Sequence, residues 1–311
     1  MAEKIVILGV FVADTSYRAD RAPQIGETIL GNSFALGPGG KGSNQAVAAA
    51  MAGGQVHFIT KLGKDPFADM ALATWEKAGV IPQVTQHQDN YTGAAYIFIE
   101  EATGNNAIIV CPGVAASISS VDIDANAELI ASSSVFVTQL EQPMDAAFRG
   151  LEIASKGGAQ TILNPAPAAQ LPAGMLKLCS FVTPNETEAE AITGISVQSI
   201  DEARKSADVL LDHGVGAAII TLGGRGVLYH DQNQSVHVPA CNAGSVVETT
   251  GAGDAFNGGF AAALAEGLAP LEAVRFGNAT AAISVTRAGT APSMPSLDEI
   301  QSLLARLDGG I

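Results

Sequence analysis

Apolar positions along the chain fall into short runs separated by longer mixed stretches. "KIVILGVFVAD" (4–14) is continuously hydrophobic, the pattern of a strand buried on both faces. The stretch that follows, "TSYRADRAPQIGETILGNSFALGPGG" (15–40), is mixed in polarity and broken by Pro and Gly, which predicts short strands outside the main sheet. "SNQAVAAAMAGG" (43–54) has helical composition and a glycine stop, and "VHFITKLG" (56–63) reads as a strand. "AAYIFIEEATGNNAIIVCPG" (94–113) predicts a hairpin, two apolar runs around an Ala-Thr-Gly-Asn-Asn turn. From "SVFVTQL" through "MDAAFRGLEIASKG", "AQTILNPAP", "CSFVTPNETEAEAITG", "DEARKSADVLLDHG" and "AAIITLGGRGVLYH", strands alternate with helices. Such alternation predicts an α/β fold built from βαβ units, a mainly parallel central sheet with helices on both faces. Ligands of such sheets bind at the carboxyl ends of the strands. The polar groups that follow strands are therefore the ones to inspect: Asp14, Glu141, Asn164, Asn185, Thr221 and the 249–254 loop.

Composition narrows the function classes. A chain of 311 residues fits one large domain, or a large one with a small satellite. Hydrophobic residues make up 47% and charged residues 15%, so a sizeable core forms and disorder is excluded. The net charge of −15, from 31 acids against 16 bases, repels nucleic acid and anionic membranes over most of the surface. An anionic ligand must then be held by local geometry rather than by a basic field. Cys111, Cys179 and Cys241 are odd in number and far apart, which suits neither a disulfide framework nor a zinc site. The apolar part of the amino-terminal segment is too short for a signal peptide, and no run reaches the roughly 18 residues of a membrane span. These features point to the reducing cytoplasm.

Five stretches carry candidate chemistry. In "VETTGAGDAFNGGFAAALAEG" (247–267), a glycine loop runs into a small-residue helix at Asp254. Gly251 and Gly253 let a ligand approach the backbone, and the first N–H groups of the helix with its dipole make an anion hole that needs no lysine. Read by itself, Asp254 is equally an acid placed favourably in a first turn. "GPGGKGSNQAVAAA" (37–50) sets Lys41 and Asn44 among four glycines ahead of a helix, donors suited to the hydroxyls of a polar ligand; a flexible linker is the alternative. Its spacing matches neither a P-loop nor a dinucleotide fingerprint. In "TPNETEAEAITG" (183–194), Asn185 and Glu188 lie three apart at a strand-to-helix junction. Carboxylates such as Glu188 and Glu186 bind Mg²⁺ largely through water, while Asn185 and Glu188 also form a plain capping box. "IITLGGRGVLYH" (219–230) is a strand, a glycine turn and a second strand, and Glu141 in "TQLEQP" is an acid just past a strand. An ordinary hairpin and a solvated helix start would account for these two.

Order and spacing are more specific than any one motif. Gly-Gly-Lys-Gly-x-Asn-Gln-Ala near residue 40, Pro-Asn-Glu-x-Glu near 185, Thr-Leu-Gly-x-x-Gly near 221 and Thr-Gly-Ala-Gly-Asp near 251 together resemble the ribokinase family of carbohydrate kinases. "LNPAPA" (163–168) and "VTRAGTAPSMP" (285–295) extend the resemblance over essentially the whole chain.

The resemblance implies a three-layer α/β/α fold in which 1–11, 42–91 and 111–311 form the core and 12–41 with 92–110 form a β-sheet lid over the sugar. It implies transfer of the γ-phosphoryl of ATP to a primary hydroxyl, foremost the 5-hydroxyl of D-ribose, and a homodimer paired through the lid. Asp254 would be the catalytic base, with Gly251, Ala252 and Gly253 as the anion hole. Asp14, Gly40, Lys41, Asn44 and Glu141 would line the sugar site, and Asn185, Thr221, Gly223, Gly226, Gly253 and Asn278 the nucleotide site. Glu188 would order Mg²⁺ through water; Glu248, Thr250, Ser284, Arg287, Gly289 and Ser293 would surround a monovalent cation, K⁺, largely through main-chain carbonyls. Two positions depart from the family pattern. Val12 stands where the first strand usually ends in Asn-x-Asp, and valine cannot hydrogen-bond a sugar hydroxyl. Unless Tyr17 or Arg18 supplies that bond, the site opens to another pentose, a hexose or a nucleoside. Glu248 stands where Asp is usual.

Overall fold

The computed structural model describes residues 3–309. Among the described residues thirteen strands make two sheets. The large sheet holds β1 (Lys4–Leu8), β4 (Gln55–Gly63), β5 (Ile81–His87), β8 (Val135–Thr138), β9 (Gln160–Leu163), β10 (Phe181–Val182), β11 (Ala217–Thr221), β12 (Val227–Asp231) and β13 (Ser235–Val238). The small sheet holds β2 (Val12–Ala19), β3 (Ser33–Gly39), β6 (Thr92–Glu100) and β7 (Asn106–Gly113).

The large sheet runs in the order β13-β12-β11-β10-β9-β8-β1-β4-β5. It is parallel from β5 to β11 and closes with the antiparallel strands β12 and β13. Helices cover both faces, as the alternation predicts. Ile5 and Ile7 of β1 face one core with the helices Lys41–Met51, Pro66–Ala78, Ala252–Ala265 and Pro270–Ser284. Val6 and Leu8 face a second core with the helices Met144–Gly157 and Ile200–Asp212. A strand buried on both sides needs apolar residues at every position, which explains the unbroken run at the amino terminus.

That run is not one strand, however. The chain leaves the large sheet after Leu8 and enters the small one at Val12. The reason is steric: a Cβ on Gly9 would lie 2.7 Å from the Gly42 Cα and 2.5 Å from Gln139 Oε1. Gly9 therefore marks a crossing where the chain passes under the start of a helix. Periodicity alone cannot see this, because both flanking segments are apolar.

Chain order reverses at β1, whose neighbours are β4 on one side and β8 on the other. The crevice at such a reversal is where open α/β sheets bind ligands. The small sheet runs in the order β3-β2-β6-β7, and its strand β3 leads into the helix Lys41–Met51. Among the described residues no helix is long and apolar enough to cross a membrane.

Candidate active site

Two helices begin in this crevice. Lys41–Met51 starts behind Gly40, whose φ of 88° suits glycine, and a Cβ there would lie 2.6 Å from the Val10 carbonyl. Ala252–Ala265 starts behind Gly251, with φ 81°. The "GPGG" stretch is thus the end of β3 and the single glycine that caps the next helix, rather than a linker. Gly39 clears space in a different way: a Cβ on it would fall 2.1 Å from the Asp14 carboxylate.

The two helices touch at Gly258, where a Cβ would meet the Ala48 Cβ at 2.4 Å and the Gln45 carbonyl at 2.7 Å. This close crossing brings two side-chain amides onto Asp254. Asn44 Nδ2 donates to Oδ2 and Gln45 Nε2 to Oδ1, both at 3.0 Å. Behind them, Gln139 Nε2 donates to Gln45 Oε1 at 2.6 Å, and Gln45 Nε2 also donates to Asn164 Oδ1 at 3.1 Å. Asn164 Nδ2 reaches the Thr183 carbonyl at 3.0 Å. The Thr183 hydroxyl donates to Asn257 Oδ1 at 2.7 Å, and Asn257 Nδ2 to the Gly253 carbonyl at 2.8 Å. Gln139, Asn164 and Thr183 each stand directly past a strand, β8, β9 and β10. The network therefore ties three strand ends to both helix starts.

Asp254 opens onto a cavity of about 160 Å³ whose walls include Lys41, Asn185, Glu188, Thr221, Gly251 and Gly253. The Ala252 N–H donates to the Thr249 carbonyl at 3.1 Å, whereas those of Gly251, Gly253 and Asp254 make no hydrogen bond among the described residues. Three unpaired amides and a helix dipole thus lie beside the cavity, and of the expected set Gly251, Ala252 and Gly253 only Ala252 has its N–H engaged.

Acids crowd this space. Burial pushes the Asp254 carboxyl up, against the pull of Lys41, Asn44 and Gln45. Burial, then Asp254, raises Asp14 to about 6. Burial also lifts Glu141 to about 7, although Lys41 and the Lys41 N–H, which donates to Glu141 Oε2 at 2.8 Å, oppose it. Glu188 is raised by burial too. Burial would lower the Lys41 amine, but Asp254, Glu141 and Glu188 together hold it above its ordinary value.

The small sheet's register sorts its side chains. Val12 and Asp14 share one face of β2, and Tyr17 lies on the other with Phe34 and Tyr96. Tyr17 is thereby turned away from Asp14 and cannot supply the hydrogen bond that Val12 does not make; Arg18 lies on the Asp14 face.

Further out, Asn185 and Glu188 do form the capping box, each side chain accepting the other's N–H, at 2.8 and 2.9 Å. Asn185 also bridges to Thr221. Glu186 is engaged elsewhere, 3.2 Å from Arg225. Gly223, Gly226 and Asn278 do not line the cavity. Gly223 and Gly226 bracket the turn between β11 and β12, and a Cβ on Gly226 would strike the Val238 carbonyl at 2.1 Å. Asn278 Nδ2 donates to the Pro239 carbonyl at 2.7 Å.

The six residues of the cation set gather from two segments. Glu248 Oε2 accepts the Gly289 N–H at 2.8 Å, and the Val285 carbonyl accepts the N–H groups of Val247 and Glu248 at 2.8 and 3.2 Å. The Ser284 hydroxyl donates to the Ala281 carbonyl and that of Ser293 to the Thr290 carbonyl, while the Ser284 carbonyl accepts the Arg287 N–H at 3.1 Å; Thr250 is exposed, and Arg287 pairs with Glu299. The extra methylene of Glu248 thus serves to pin the 289 turn.

Residue reasoning missed Gln45, Gln139, Thr183 and Asn257, and took Asn164 no further than a strand-end polar group. The one available signal was Gln45 itself, a long polar side chain followed by Ala-Val-Ala-Ala-Ala.

The model of the "pfkB family carbohydrate kinase" matches residues 2–297. The chain belongs to this family. It is a kinase of the ribokinase type, a phosphotransferase with an alcohol group as acceptor. It is 36% identical to the ribokinase of Haemophilus influenzae, over 98% of this chain and 99% of that one. It is equally 36% identical to the deoxyribokinase of Salmonella typhi, over 97% and 98%. The structure of Arabidopsis thaliana ribokinase complexed with ribose and ATP superposes with a TM-score of 0.93 at 28% identity, covering 98% of this chain and 99% of that one. Family membership implies a divalent cation. Among the described residues no group of three or more His, Cys, Asp or Glu side chains forms a metal cage, and a hard cation bound chiefly by phosphates and water needs none.

Proposed function

We propose that this kinase moves the γ-phosphoryl group of ATP to the 5-hydroxyl of D-ribose, giving ribose 5-phosphate and ADP. Asp254 is the base that takes the hydroxyl proton as the new O–P bond forms and ADP departs. One observation carries the reading: a buried carboxylate, both oxygens held by amides, stands beside two unpaired helix N–H groups at the mouth of a cavity. Phosphoryl transfer asks mainly for alignment and for neutralisation of developing charge. The Gly253 and Asp254 amides and Lys41 supply the second, and a positioned base adds roughly 10²–10⁴-fold.

Asp14, Lys41, Asn44 and Glu141 hold the sugar, with Gly40 opening the turn beneath it. Asn185, Thr221 and Glu188 face the nucleotide, beside Gly223, Gly226 and Asn278. Mg²⁺, ordered by Glu188 through water, would offset phosphate charge. K⁺ beside Glu248 would add positive charge next to the anion hole, its ligands drawn largely from main-chain carbonyls. The lid, 12–41 and 92–110, shields the phosphoryl group from water. Its outer face pairs two copies in a homodimer, and three free thiols suit a reducing cytoplasm.

A second reading, 2-deoxyribose as the substrate, is favoured by Val12. It is buried on the Asp14 face and cannot bond a hydroxyl, and a deoxyribokinase is as similar as a ribokinase. One assay tests both: ADP release with ribose, deoxyribose, hexoses and nucleosides, in K⁺ and in tetramethylammonium, for wild type and Asp254→Asn. Ribose should have the highest kcat/KM, K⁺ should raise the rate, and turnover of the variant should fall at least ~100-fold with binding retained. Half of wild-type turnover in Asp254→Asn would remove the base, preference for deoxyribose would establish the second reading, and equal rates in the two cations would remove K⁺.

A further inference from the structure

We propose that Gln45 is a positioning residue for the reaction: its amide, clamped by Gln139 and Asn164, fixes the orientation of the Asp254 carboxylate. The inference rests on the reading of Asp254 as the base.

The donors and acceptors present leave a single arrangement. An ionised carboxylate only accepts, so Gln45 must turn Nε2 towards Asp254. Its two N–H groups are then used, on Asp254 Oδ1 at 3.0 Å and on Asn164 Oδ1 at 3.1 Å. Oε1 consequently faces Gln139 and takes its Nε2 at 2.6 Å. Asn164 is oriented in turn by its own donation to the Thr183 carbonyl at 3.0 Å. Every polar group of Gln45 has one partner fixed by the rest, so the amide has no freedom to rotate.

Burial makes the clamp matter. Gln45 and Gln139 are 0% exposed and Asn164 6%, so water does not compete for these groups. Gln45 does not line the cavity, whereas Lys41 and Asn164 do. Packing alone does not call for a glutamine, because the neighbouring helix positions Ala46, Val47, Ala48 and Ala49 are apolar and buried, and an unpaired amide there would be costly. Its two contacts that reach the cavity are Asp254 and Asn164, and of these only Asp254 is ionisable. The ionisable groups around that carboxylate are Lys41 from the same helix as Gln45, Asp14 from β2, Glu141 after β8 and Glu188 from the helix Glu186–Thr193. Only Lys41 among them is cationic, so the Gln45 and Asn44 amides are what else favours the charged, proton-accepting form.

The test is a double-mutant cycle in single turnover, using Gln45→Met, which keeps the volume and removes the donors. In the wild-type background the rate should drop about 30-fold with KM for sugar and ATP changed less than threefold, and the acid limb of the pH profile should move up by roughly one unit, since removing a donor disfavours the carboxylate. In the Asp254→Asn background the same change should cost less than threefold, because residues acting as one unit are not additive. An equal loss in both backgrounds, or an unmoved acid limb, overturns the inference and leaves the base standing. If Asp254→Asn alone keeps half its turnover, the base reading fails first. Should Gln45→Met not fold, Gln139→Met frees the far end of the clamp; a limb displaced upward by about half a unit supports the proposal, and no displacement overturns it.

Discussion

At the scale of single residues, the site holds more acid than its surroundings stabilise. Glu141, lifted by burial from an ordinary value of 4.5 to about 7, is the clearest case. A carboxyl whose folded value lies above its unfolded one favours folding below the unfolded value, and that contribution disappears as pH rises through the folded value. The cost of Glu141 thus grows from about pH 4.5 to 7 and is complete above that, and at the proposed sugar site an incoming hydroxyl is a donor that would offset it. Glu141→Gln keeps an acceptor for the Lys41 N–H and has no charge to bury. Without ligand, its Tm should match wild type near pH 5 and exceed it by roughly 5 °C at pH 8.5. Parallel Tm profiles across that range would mean that the carboxylate carries no such strain.

At the scale of elements, Asp254 is placed by a helix crossing. Gly258 and Gly259 sit mid-helix, where glycine is unfavourable by about 1 kcal/mol relative to alanine. Each faces a neighbouring helix instead of open space: Gly258 the Ala48–Ala49 backbone, Gly259 the Thr280 side chain at 2.3 Å from a built Cβ. Gly258→Ala should therefore destabilise by roughly 1–3 kcal/mol despite its better helix propensity. It should also slow turnover more than it weakens ATP binding, because Asn44 and Gln45 withdraw from Asp254 together. Denaturant melts and single-turnover rates on the same variant check both. A stabilised, fully active Gly258→Ala would show that the helices have room to spare.

At the scale of the whole molecule, the small sheet has two unlike faces. The inner one carries Val12 and Asp14, and the outer one carries Tyr17, Phe34, Tyr96 and Ile109, of which Ile109 is 63% exposed. A contiguous apolar face of this kind marks an interaction site, and a second copy of the lid is its complement in the homodimer proposed above. Because the same sheet carries Asp14, pairing would also steady the proposed sugar site. Ile109→Asp should shift sedimentation from dimer to monomer at micromolar concentration and raise KM for the sugar while leaving Tm of the core within a few degrees. A monomeric wild type, or a dimer untouched by Ile109→Asp, would remove that interface.

Much of this protein was legible from residue order alone. The alternation of elements led to a parallel sheet covered on both faces, the spacing of four motifs led to the family, and the three-residue interval of Asn185 and Glu188 led to their cap. Each rests on local physics: apolar period, glycine turns, helix caps. What the tertiary structure decided is the company those residues keep. The split of the first apolar run between two sheets depends on Gly9 meeting Gly42, and the outward turn of Tyr17 depends on register. The Gln139–Gln45–Asp254 chain joins residues 94 and 209 positions apart, held by two helices that approach only because glycine lets them. No pattern within one segment encodes such a contact, since hydrogen bonds between distant side chains follow from where packing brings their backbones.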